Sequence, residues 1–120
     1  MRARFSFGKR GIDVVVPDSF QTQVVHSRTG DALEDESAAL GHALDSPIGC
    51  GSLKELALGK KTAAISVCDI TRPAPNRVTL PPVLERLHAA GIPAEGVMIL
   101  IATGLHRAAT EDEINTIVGP

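Results

Sequence analysis

Two short apolar runs, at 62–68 and 97–102, stand out along the chain because each is followed at once by polar residues. Runs of this length and composition predict buried β-strands. The segment 81–90 between them carries apolar residues at helical spacing and ends at Gly91. A strand, a helix and a second strand in this order predict a right-handed crossover with parallel strands. The predicted fold class is therefore α/β, with an open, partly parallel, Rossmann-like sheet and flanking helices.

The first third of the chain has a different pattern. Segments 3–7 and 12–16 are joined by a glycine-flanked turn and predict an N-terminal β-hairpin. A third short strand is predicted at 22–26. The spacing of leucines over 31–44 predicts a helix, with Asp31 as its cap.

Capping signals predict two further helices. Ser52 and Glu55 have capping-box spacing, and Gly59 marks a helix end, so a short helix is expected between them. Thr110 and Glu113 repeat the signal and predict a last helix.

Prolines set the predicted start of the helix between the two strands. Pro73 and Pro75 exclude regular structure until about Leu80. Pro81 and Pro82 suit the first turn of the helix that follows.

Composition narrows the function classes. With 120 residues the chain is predicted to be a single α/β domain, 1–120. A net charge of −2 and an aromatic content of three Phe, no Tyr and no Trp argue against nucleic-acid binding. No apolar segment predicts a signal peptide or a membrane span, so a cytoplasmic location is expected. Cys50 and Cys68 are expected as free structural thiols, with Cys68 buried, although Cys50 near a helix start is also a possible nucleophile.

The polar residues after the two strands carry the candidate chemistry. Parallel strands end at the same edge of a sheet, so the loops 69–73 and 103–107 are expected to meet there. Arg72 offers a planar fork of donors for a carboxylate or phosphate. His106 can exchange a proton near neutral pH, and Asp69 can orient either residue.

Each of these residues also has a purely structural interpretation. Asp69 and Thr71 are a common turn pair, Arg72 and Arg107 can pair with surface carboxylates, and His106 can be a solvated loop residue. Dinucleotide-binding, P-loop and nucleophile-elbow glycine motifs are absent from the sequence. Besides an enzyme, the alternatives are a non-catalytic α/β module that binds a small carboxylate or phosphate, and a domain that docks a partner.

The two loop sequences together resemble a known family. The sequence Asp-Ile-Thr-Arg-Pro-x-Pro at 69–75 and the sequence Ala-Thr-Gly-Leu-His-Arg at 102–107 are similar to the N-terminal domain of the nickel-dependent lactate racemase family. Flanking segments at 47–56, 80–92 and 110–113 agree with it. The resemblance covers nearly the whole chain.

The resemblance implies an enzyme that inverts the hydroxyl-bearing carbon of a 2-hydroxy acid by reversible hydride transfer to a nickel-pincer nucleotide. It implies that His106 takes the hydroxyl proton and that Arg72 holds the substrate carboxylate. Four further residues are implied on the cofactor side of the site, and none of them is a metal ligand: Asp69, Thr71, Thr103 and Gly104.

The chain departs from the family in two respects. Leu105 stands where many members have Thr, which leaves room for another substrate. Members are also several times longer, and their tethering lysine, nickel-ligating histidine and second catalytic histidine lie beyond this sequence. We therefore expect an N-terminal fragment of a two-domain enzyme, inactive and without cofactor on its own. Its expected partner is the remaining portion of that protein, with association of two copies of the fragment as a further option, and neither nucleic acid nor a membrane is expected.

Overall fold

The computed structural model describes residues 1–28 and 30–119. By its internal contacts the chain divides into two units, Met1–Ala32 and Leu33–Pro120. In the first unit β1 (Arg2–Phe5) pairs antiparallel with β2 (Ile12–Val15), which confirms the predicted hairpin.

The third strand predicted at 22–26 is wrong. This segment has no strand structure, and Val24 and Val25 are 50% and 82% exposed. β-Branched residues favour an extended chain only where a neighbouring strand completes the hydrogen bonds and packing, and none pairs with this segment in the described part of the unit.

The second unit has the predicted α/β fold. β3 (Ala63–Cys68) and β4 (Val97–Ala102) are parallel, with Ala63 opposite Val97 and Cys68 opposite Ala102. The helices are α1 (Glu36–Asp45), α2 (Leu53–Ala57), α3 (Asn76–Ala89) and α4 (Glu111–Val118), and a 3₁₀ turn at Ala94–Gly96 leads into β4.

Helix starts follow the capping chemistry in three cases. Both predicted capping boxes are present: Ser52 with Glu55 begins α2, and Thr110 with Glu113 begins α4. The start predicted for α1 is wrong, because Asp35 and not Asp31 caps it, with Asp35 Oδ1 accepting from the Ala38 N–H at 2.9 Å. Residues 30–34 are all exposed, so extending the helix over them would bury no side chain that could stabilise it.

The crossover helix also begins earlier than predicted. Pro75 is its N-cap, and Pro81 and Pro82 are its sixth and seventh residues. An interior proline removes a backbone hydrogen bond and costs about 3 kcal/mol. Here Leu80 and Leu87, each 5% exposed, anchor the helix on both sides of the proline pair, so core packing offsets the local cost.

Two small apolar clusters hold the unit together. Ala57, Leu87 and Ile92 form one with the amino-terminal half of the sheet. Val67, Leu80 and Ile117 form the other, which lies beneath the carboxyl ends of both strands. This second cluster ties α3 and α4 to the edge of the sheet from which the two loops emerge.

Within the second unit, the described helices pack on one face of the sheet. Ile65 and Val67 of β3 pack against the helices, whereas Met98 and Leu100 of β4 are 60% and 49% exposed. The expectation of fully buried strands is wrong for this second face, and Cys68, which lies on it, is exposed and not buried. Parallel sheets usually have both faces covered. Within residues 1–28 and 30–119, no helix is long and apolar enough to cross a membrane.

Packing beneath the loops generates a stability prediction. Ile117 is 6% exposed, and Ile117→Ala should lower the free energy of unfolding by about 2–5 kcal/mol, through lost burial and a residual cavity. Ile114, on the same helix, is 38% exposed, and Ile114→Ala should cost under about 1 kcal/mol. Urea denaturation followed by circular dichroism checks both variants, and equal losses would contradict the assignment of the core.

The open sheet face generates a second prediction. We expect the chain to self-associate at high concentration, because Met98 and Leu100 leave apolar surface in water. The double variant Met98→Ser, Leu100→Ser should sediment as a monomer. Leu58→Ser, which removes an exposed leucine after α2, should leave association unchanged. Sedimentation velocity of the unaltered chain that gives only monomer would contradict this prediction.

Candidate functional site

The first loop is built around the carboxylate of Asp69, which follows the last residue of β3. The Thr71 hydroxyl and backbone N–H both donate to Asp69 Oδ1, at 2.6 and 3.2 Å. The Arg72 N–H donates to the Asp69 carbonyl at 3.1 Å. This is the local turn that Asp favours at the end of a strand, and it fixes a side chain that is only 8% exposed.

The second loop turns sharply after β4. The His106 N–H donates to the Thr103 carbonyl at 2.9 Å, and Gly104 adopts a φ of +57°, a conformation that glycine accepts readily. The turn directs His106 back toward the ends of the strands. The backbone N–H of Thr103 donates to the carbonyl of Ile101, so this group is not available to bind an anion.

One short hydrogen bond joins the two loops. His106 Nδ1 lies 2.5 Å from Asp69 Oδ2. The Thr71 hydroxyl and then the His106 ring lower the pKa of Asp69 from 3.8 to about 2, so its carboxylate is ionised at neutral pH. An ionised carboxylate can only accept, so Nδ1 of His106 carries the hydrogen. In the neutral ring Nε2 is then the atom that can take a proton.

Arg72 and Arg107 have different environments. Arg107 donates to both carboxylate oxygens of Glu113 at 2.8 Å, and this pair is the main cause that lowers the pKa of Glu113 to about 2. Glu113 also caps α4, so the pair fastens the second loop to that helix. The side chain of Arg72 is exposed and makes no hydrogen bond or ion pair with any other residue of 1–28 or 30–119. Its guanidinium is available to a ligand.

A cleft of about 410 Å³ opens between the loops. Its size falls in the range of small-molecule sites. All six predicted site residues line it: Asp69, Thr71, Arg72, Thr103, Gly104 and His106. The structure thus brings these residues together, as parallel strands predict, while their roles stay predictions.

Three residues besides the six predicted ones line the cleft: Cys68, Ala102 and Leu105. Cys68 lines it because its side chain lies on the open face of the sheet. Leu105 lines it from the fully exposed tip of the second loop. Side chains alternate between the two faces of the sheet along β3, and this alternation could have placed Cys68 on the open face from the sequence alone. In the described part of the chain, no group of three or more His, Cys, Asp or Glu residues is arranged to hold a metal ion.

The comparisons with known proteins point to one family. The model of the lactate racemase N-terminal domain matches residues 7–120. The chain is 36% identical over 115 residues to lactate racemase of Thermoanaerobacterium thermosaccharolyticum, covering 94% of this chain and 27% of that protein. It is 40% identical over 79 residues to lactate racemase of Lactiplantibacillus plantarum, covering 66% of this chain and 18% of that protein.

A solved structure agrees in fold. The lactate racemase apoprotein of Thermoanaerobacterium thermosaccharolyticum matches all of this chain with a TM-score of 0.79 and 33% identity. The match takes up 27% of that protein. The chain therefore spans about a quarter of the length of this relative.

The carboxylates of the site generate a pH prediction. The pKa values of Asp69 and Glu113 are lowered by folding, so their contribution to stability is present above their ordinary pKa values and is lost as the pH falls toward 2. We expect the urea midpoint to decrease as the pH falls from about 5 to 2. Asp45 and Glu55, whose pKa values are also lowered, add to this decrease.

Glu113→Gln should lower the urea midpoint at neutral pH, because the ion pair with Arg107 is gone. For the same reason, the urea midpoint of this variant should decrease less in acid than that of the unaltered chain. Glu111→Gln removes a charge from the same helical turn, where Glu111 pairs with no described residue, and serves as the control. An identical acid response in the unaltered chain and Glu113→Gln would contradict the assignment of Glu113.

Proposed function

This chain belongs to the lactate racemase N-terminal domain family, and on that basis we propose that it contributes substrate-handling residues to a longer enzyme. The proposed reaction is inversion of the hydroxyl-bearing carbon of a 2-hydroxy acid, as a lactate-type racemase or epimerase. The chain alone is proposed to be inactive, because it spans 27% of its curated relative.

One observation carries the proposal: an available guanidinium and an oriented histidine line the same cleft. A 2-hydroxy acid has a carboxylate next to a hydroxyl-bearing carbon, so two adjacent groups need two different partners. Arg72 binds the carboxylate through two parallel N–H donors. His106 accepts the hydroxyl proton at Nε2, because its Nδ1–H is engaged by Asp69.

The backbone of the second loop is accessible at Gly104. Gly104 has no atom within 4 Å of the position that a Cβ would take, so a ring can approach the chain there. We propose that Asp69, Thr71, Thr103 and Gly104 border the nickel-pincer nucleotide, and that no residue of this chain ligates nickel. When bound, this group supplies a reversible hydride acceptor for the substrate carbon.

The proposal is tested by two substitutions in the full-length protein loaded with its cofactor. His106→Ala should slow racemisation by about 10²–10⁴-fold, because the proton acceptor is lost, and should leave the cofactor bound. Arg72→Ala should raise KM and lower kcat together, because the carboxylate anchor also sets the geometry of hydride transfer. Arg72→Lys should recover only part of the activity, because an ammonium group does not provide two parallel donors.

His42→Ala is the matched control, since His42 is an exposed histidine of α1 outside the cleft. The measurement is the steady-state rate of racemisation with a panel of 2-hydroxy acids. Near-normal rates for His106→Ala on the best substrate would remove His106 from the mechanism. The non-catalytic carboxylate-binding or phosphate-binding module would then be the better interpretation.

A further inference from the structure

We infer that Asp69 is a positioning residue that selects the tautomer of His106, and that Thr71 in turn orients Asp69. The tautomer follows from the contacts of this chain alone. Its effect on racemisation rests on the proposed function, because only there does Nε2 accept a substrate proton.

The two carboxylate oxygens of Asp69 have different hydrogen-bond partners. Oδ1 accepts two hydrogen bonds from Thr71, one from the hydroxyl and one from the backbone N–H. Oδ2 faces Nδ1 of His106. Two donors on Oδ1 hold the plane of the carboxylate, so the side chain cannot rotate without breaking the turn. The Asp69 side chain is 8% exposed and doubly bonded to Thr71, whereas the His106 side chain is 54% exposed, so we take Asp69 to orient His106 and not the reverse.

This arrangement gives an asparagine substitution an unusual prediction. In Asp69→Asn the side-chain oxygen has two donors from Thr71 waiting at the Oδ1 position. The amide nitrogen then takes the Oδ2 position and presents a hydrogen to His106 Nδ1. Nδ1 must become the acceptor, and the hydrogen of the neutral ring moves to Nε2. A substitution of almost unchanged shape thus places the hydrogen on Nε2, the ring nitrogen that accepts the substrate proton in the proposed function.

His88 provides an internal reference for the measurement. Its Nδ1 lies 2.8 Å from the carbonyl of Ile92, which can only accept, so His88 also carries its hydrogen on Nδ1. Long-range ¹H–¹⁵N correlation spectra of the 120-residue chain distinguish the protonated ring nitrogen from the unprotonated one. We would record them at about pH 8.5, above the usual titration range of histidine.

The expected result is Nδ1–H for both His106 and His88 in the unaltered chain. In Asp69→Asn, His106 should change to Nε2–H while His88 stays the same. An Nε2–H tautomer for His106 in the unaltered chain would overturn the inference without any variant. An unchanged Nδ1–H tautomer in Asp69→Asn would also overturn it.

Kinetics of the full-length loaded protein test the catalytic part. Asp69→Asn should lower kcat by about 10²–10⁴-fold with little change in KM, because Arg72 still holds the carboxylate. Thr71→Val should lower kcat by about 3–10-fold, the equivalent of one hydrogen bond, and Thr71→Ser should restore it. Equal losses in Thr71→Val and Thr71→Ser, or a loss in Asp69→Asn that appears only in KM, would contradict the positioning role.

The two experiments separate the inference from the proposed function. If the tautomer changes in Asp69→Asn while His106→Ala retains its activity, the positioning contact stands and the racemase mechanism fails. If His106→Ala is inactive while the tautomer of Asp69→Asn is unchanged, the mechanism stands and Asp69 does not select the tautomer.

Discussion

The parallel pairing of β3 with β4 is the constraint on which the rest of the site depends. Strands that run in the same direction deliver their following loops to one edge, and the in-register pairing of Cys68 with Ala102 starts both loops at the same height. The carboxylate of Asp69 and the ring of His106, 37 residues apart in sequence, can then meet in a single hydrogen bond. The helices act through this pairing, because Leu80 of α3 and Ile117 of α4 pack on the strand ends.

The charged residues of the site differ in the contacts that they make with other described residues. Asp69 and Arg107 are held by charged or hydroxyl partners within their own neighbourhood, and each of these contacts fixes one loop. Arg72 lines the cleft and has no such partner among the described residues. In such a site the ring of His106 is already oriented by Asp69, and the guanidinium of Arg72 has no carboxylate partner among the described residues. This division of tasks between two similar arginines follows from the position of Glu113 on α4.

Much of the secondary structure could be predicted from residues close together in the sequence. The elements that were predicted wrongly depend on tertiary contacts. Capping boxes at Ser52 and Thr110 predicted their helices because both halves of the signal lie within one turn. The start of α3 was missed, since Pro81 and Pro82 suggest a helix start unless the burial of the residues around them is known. For the site, strand order predicted which side chains would meet. It left open whether Asp69 would bond to His106 or to Arg72, because that choice depends on two turn geometries and a rotamer.

The separation of Asp69 and His106 along the chain has a consequence for the order of folding. Helices and turns depend on neighbouring residues and form early, whereas a pairing across 37 residues has to close a long loop first. The cleft therefore has no precursor in the unfolded chain or in its isolated helices. It comes into existence only when the whole crossover from β3 to β4 is complete. A partly folded chain in which this crossover is incomplete would expose the apolar residues of β3 and β4 to water without the polar edge, which favours aggregation.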